Sequence, residues 1–87
     1  MCRSIKRLHN VEPPVNAEEI RSASLQFVRK ISGTTKPAKA NAEAFARAVE
    51  EIAAISERLL AELVSHAPPQ DREAVAAKAR ERFVARA

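Results

Sequence analysis

Apolar positions recur along this chain at helical spacing. Between Asn41 and about Ser65 the larger ones fall at Phe45, Val49, Ile52, Leu59 and Leu63, with small Ser56 filling the gap between Ile52 and Leu59. Alternating steps of four and three place them on one helix face, the seam by which one helix packs along another. A second line, Ile55, Leu60 and Val64, widens the stripe beyond what one neighbour covers. The rest of this surface is acidic, with Glu43, Glu50, Glu51, Glu57 and Glu62. The pattern predicts a central helix over 38–65, resuming near Pro37 or capped at Asn41 and stopped by Pro68-Pro69, with His66 at its negative end.

A second stripe, Ile20, Ala23, Ser24, Phe27 and Ile31, with Leu25 and Val28 beside it, predicts a helix over 17–32. Asn16 is a strong N-cap and Glu19 stands three residues on, as a capping box requires. Glu18 and Glu19 suit the positive end of the dipole, Arg29 and Lys30 the negative end, and Gly33 a left-handed stop. A third helix over 70–85 has a thinner face of Val75, Ala76, Ala79, Phe83 and Val84 beside Lys78, Arg80, Arg82 and Arg86, so loose docking or fraying is expected. The first fifteen residues read as a basic arm. Ile5, Leu8 and Val11 would hold it against the helices, and Pro13-Pro14 pushes Glu12 towards extended geometry. The expected fold is all-α: a small three-helix bundle with a basic N-terminal arm, one domain over 1–87.

Composition supports this reading. Eighteen of the 87 residues are alanine, which forms helix well but buries little, so the 46% hydrophobic fraction overstates the core. With one Gly and no alternating run, a sheet fold has little support. So few large core residues leave a monomer only a few kcal/mol of stability, on the order of the lower values for small domains. A homodimer sharing the broad central stripe would relieve that.

Charge is uneven. Residues 1–40 carry eight basic and three acidic groups, residues 41–71 two and six, and residues 72–87 five and two. Basic segments flanking an acidic helix answer one another, which weakens an inference from the +4 net charge to nucleic acid. The three aromatics, Phe27, Phe45 and Phe83, fall at expected core positions, so base stacking is not favoured. A lone cysteine excludes an internal disulfide, and no apolar run has the length of a membrane span or a secretory leader, so a cytoplasmic location without membrane contact is expected.

Candidate chemistry is sparse. Arg29, Lys30, Lys36 and Lys39 would cluster around a helix end and loop, with Arg3, Lys6 and Arg7 near, a surface suited to an acidic protein or a phosphate-containing ligand. Ordinary helix-end charge placement explains the same residues. Cys2, beside Arg3 and near Lys6 and Arg7, stands where basic neighbours favour its thiolate, and His9 could serve as its base. The competing reading is a terminal cysteine with no chemical role. Cys2, His9 and His66 lack paired ligand spacing, so no metal is expected. There is no glycine-rich phosphate loop, and no cofactor is expected. Adjacent pairs such as Glu18/Glu19 and Glu50/Glu51 diverge on a helix and do not converge on a substrate.

The blocks MCRSIKRLHNVEPP, EEIRSASLQFVRKISG and KPAKANAEAF are distinctive, and through them the chain resembles a family of small bacterial proteins, the domain of unknown function numbered twenty-two seventy-seven. The resemblance runs from Met1 to about Leu63 and more loosely beyond. It implies a compact helical protein of this length and brings no activity, cofactor or catalytic residue. Ala38, where serine is expected, and the tail ERFVARA depart from the pattern. The expectation is a non-enzymatic interaction module with a basic surface. The alternatives are a redox-sensing or nucleophilic thiol protein using Cys2, and a structural subunit of a larger assembly.

Overall fold

A computed structural model describes residues 5–86. Three helices dominate: α1 over Ala17–Ser32, α2 over Ala42–Glu62 and α3 over Arg72–Arg86. Two short strands, β1 (Val11–Glu12) and β2 (Gln70–Asp71), pair in parallel with Val11 opposite Gln70 and Glu12 opposite Asp71.

The local signals for α1 are all realised. The Asn16 side chain accepts from the Glu19 N–H at 2.9 Å, and the Asn16 N–H donates to Glu19 Oε1 at 3.3 Å. Gly33 closes the helix at φ 72°, donating its N–H to the Arg29 carbonyl at 3.0 Å. That conformation strains any residue carrying a Cβ.

The central helix is shorter than the expected 38–65. A 3₁₀ turn over Lys39–Asn41 leads into it, and Asn41 makes no side-chain cap. At the other end the backbone turns extended at Leu63, well before Pro68-Pro69. Ser65 is engaged instead in the following loop, where its Oγ accepts from the Ala67 N–H at 3.2 Å. His66 therefore stands in that loop, beyond the helix end it was expected to occupy. Helix α3 begins two residues later than the expected 70, because Gln70 and Asp71 pair with the arm. Asp71 then caps α3, its Oδ1 accepting from the N–H groups of Glu73 and Ala74 at 2.9 and 3.2 Å.

Packing is concentrated between α1 and α2, while α3 has no extensive contact with either. Ile20, Ser24 and Val28 of α1 are buried, with Val49 of α2 and Val11 of the arm. Ser24 is accommodated because its hydroxyl donates to the Ile20 carbonyl at 2.8 Å. Phe45, Ile52, Ser56 and Leu60 are half-buried. Two aromatics expected in the core lie outside it: Phe27 is 44% and Phe83 77% exposed. The molecule is a thin plate of 44 × 39 × 19 Å with a radius of gyration of 15.6 Å, against about 12 Å for a compact chain of this length.

Candidate functional site

The short parallel pairing places residues 6–13 beside the start of α3, and several side chains complete the join. Asn10 adopts a left-handed backbone, φ 53°, which asparagine tolerates better than most residues. From there its Nδ2 donates towards Ser65 Oγ at 3.3 Å and the carbonyls of Ala67 and Pro68 at 3.1 and 3.3 Å. Its own carbonyl accepts from the Gln70 N–H at 2.9 Å and from Arg7 Nη2 at 3.4 Å. Arg7 Nε also donates to the His9 carbonyl at 2.9 Å.

Arg72, the first residue of α3, donates through Nη1 to the Pro13 carbonyl at 3.0 Å and through both terminal nitrogens to the Glu19 carboxylate. Glu19 thus serves two partners, the α1 cap and the α3 anchor. The hydrogen bond from Arg72 is the largest cause holding its carboxyl below the usual range; the Asn16 N–H and the Arg72 charge act the same way, and partial burial opposes them. A second ion pair, Arg21 with Glu50, crosses between α1 and α2 on the exposed surface.

These joins frame a cleft of about 530 Å³ between the arm, α1 and α3. Leu8, Val11, Ala23, Val75, Ala76 and Ala79 give it an apolar lining, and Lys6, Arg7 and Arg72 stand on its wall against the single carboxylate of Glu19. The size falls within the range of small-ligand or side-chain pockets. Because Arg72 is already matched by Glu19, the charge left for a ligand is that of Lys6 and Arg7, both exposed.

The residues singled out from sequence are distributed differently. Arg29 is half-buried and its Nε donates to the Thr35 carbonyl at 3.2 Å, so it braces the α1–α2 loop. Lys30, Lys36 and Lys39 are exposed around that loop, without an ion-pair partner among the described residues. Eleven residues of helix separate Glu19, at the cleft, from Lys30, about 16 Å of rise, so the two basic regions are distinct. Cys2 and Arg3 lie outside the described residues. His9 is half-buried and lines another hollow with Pro14, Ile20 and Leu60. Among the described residues no group of three or more His, Cys, Asp or Glu side chains could hold a metal ion, and no helix is long and apolar enough to cross a membrane.

Sequence reasoning missed the cleft because its walls come from segments more than fifty residues apart. The one available hint was a basic Lys6-Arg7 pair next to the apolar residues that dock the arm.

The profile of one family, described as "Uncharacterized conserved protein (DUF2277)", matches residues 1–78. No curated protein and no solved structure matches the chain. The chain belongs to the DUF2277 family.

Proposed function

We propose that this member of the DUF2277 family is a non-enzymatic interaction module, and that it takes an acidic, partly apolar segment of another protein into the cleft between the arm, α1 and α3. The observation carrying this reading is the juxtaposition of Lys6 and Arg7 with an open apolar lining of Leu8, Val11, Ala23, Val75, Ala76 and Ala79. Apolar side chains of the segment would be covered by that lining while its carboxylates meet the two cations, a combination that gives orientation as well as attraction. The exposed Lys30, Lys36 and Lys39 form the other basic surface, and a phosphate-containing ligand there would be held through charge alone.

Titration of isotopically labelled protein with a short peptide rich in glutamate and leucine tests the choice. NMR shifts are expected at Leu8, Ala23 and Ala76, with Lys6→Glu weakening binding roughly fivefold, the equivalent of about 1 kcal/mol for an exposed charge pair. Lys36→Glu with Lys39→Glu should leave it unchanged. The reverse pattern, or binding of inorganic phosphate at the loop with none of the peptide, would refute the cleft reading.

A further inference from the structure

Beyond the cleft, the structure leaves two apolar surfaces without a partner. On α2, Ile55, Leu59 and Leu63 repeat at intervals of four and are 57%, 52% and 44% exposed. On the last two turns of α3, Phe83 and Val84 are 77% and 71% exposed. The cleft uses the earlier turns of α3, at Val75, Ala76 and Ala79, so the outer end remains open. Single exposed apolar residues are ordinary, but aligned ones on two helices of so small a protein mark a contact surface.

The charges flanking these two surfaces are opposite. Helical spacing sets Glu51 and Glu62 beside the Ile55–Leu59–Leu63 line, with Arg58 the one like charge nearby. Lys78, Arg80 and Arg82 stand around Phe83 and Val84, with Glu81 the one acid among them. All of these are exposed. Within one chain the two surfaces are not brought together, since α3 has no extensive contact with α2.

We infer that the partner is a second copy of this chain: the outer end of α3 from each copy packs on the Ile55–Leu59–Leu63 line of the other. Two such contacts related by a two-fold axis close the assembly, and each copy gives the other what it lacks, a basic apolar end for an acidic apolar face. The inference stands apart from the cleft reading, because it uses different residues of α3.

Charge-swapped chains test it. Glu51→Lys with Glu62→Lys makes both surfaces of one variant basic; Lys78→Glu with Arg82→Glu makes both surfaces of the other acidic. By sedimentation, the unmodified chain should run at twice the 9.5 kDa of a single copy at high micromolar concentration. Each variant alone should shift to a single copy, and their equimolar mixture should recover the doubled mass. Phe83→Ser, at a position too exposed to matter for the fold, is the second probe and should also yield single copies with unchanged far-UV circular dichroism. An unmodified chain that stays a single copy overturns the inference, as does either swapped variant that associates as tightly as the unmodified chain.

Discussion

Asn10 is the residue whose replacement says most about how this fold is held. Its Nδ2 faces Ser65 Oγ and the carbonyls of Ala67 and Pro68, and its backbone is left-handed at φ 53°. An NH₂ group has two protons, so of three acceptors it satisfies two at a time. Two net hydrogen bonds near solvent stabilise by about 1 kcal/mol together, the lower end of the usual range. A left-handed conformation costs a Cβ-bearing residue without asparagine's local hydrogen bonding about 1 kcal/mol more. Asn10→Ala should therefore destabilise by about 2 kcal/mol, and Asn10→Gly, which relaxes the backbone, by about 1 kcal/mol. Asn10→Asp keeps the conformation but turns a carboxylate oxygen towards two carbonyls, so it should be worse than glycine despite its similar shape. For a domain of this size 2 kcal/mol corresponds to a midpoint roughly 8–16 °C lower. Urea titration followed by circular dichroism measures all three, and hydrogen exchange at the Gln70 amide, which donates to the Asn10 carbonyl, reports the join locally. A glycine variant as unstable as alanine would remove the backbone argument. An aspartate variant as stable as the parent would show that the three acceptors do not matter.

Other perturbations follow from the same geometry. Val49, 3% exposed, should cost about 2 kcal/mol on replacement by alanine, from two methyl groups and the space they leave, whereas Ile55→Ala at 57% exposure should stay within about 0.5 kcal/mol in the monomer when both are compared by urea midpoint. Glu19 titrates lower in the folded chain than in the unfolded one, so its contribution is fully present above the unfolded value of about 4.3 and is lost as pH falls through the folded value. Glu19→Gln should flatten that acid limb of a stability-against-pH profile, and an unchanged limb would show that Arg72 does not stabilise the ionised form.

Much of the helical framework was legible because it is written locally. Asn16, Glu19 and Gly33 act within four residues of their targets, and each does what its spacing implied. The ends of α2 and α3 were less readable, since Leu63, Gln70 and Asp71 respond to the arm rather than to their neighbours. Pro68-Pro69 showed that a helix must end by then but did not show that Ser65 would leave it to join the loop facing Asn10. The aromatic residues misled for a related reason: Phe27 and Phe83 lie on helical stripes, but a stripe shows which face is apolar, not whether anything covers it. The cleft was hidden for the same reason as the Arg72–Glu19 pair, whose members are 53 residues apart. Of the expected basic surface, Arg29 is engaged by the Thr35 carbonyl, which only the folded loop reveals.

The join between the arm and α3 also orders events in time. Arg72 reaches the Pro13 carbonyl across 59 residues, a closure whose chain entropy is roughly 3–4 kcal/mol before any contact offsets it. The α1–α2 hairpin has no such handicap, since its loop spans residues 33–41. On a growing or refolding chain the hairpin therefore assembles first, and the arm is fastened only once residue 72 is present. Contacts made that late are absent from the rate-limiting step, so Asn10→Gly should speed unfolding far more than it slows folding, read from the two arms of a chevron. The N-terminal residues, first to be made, are the last to find their place.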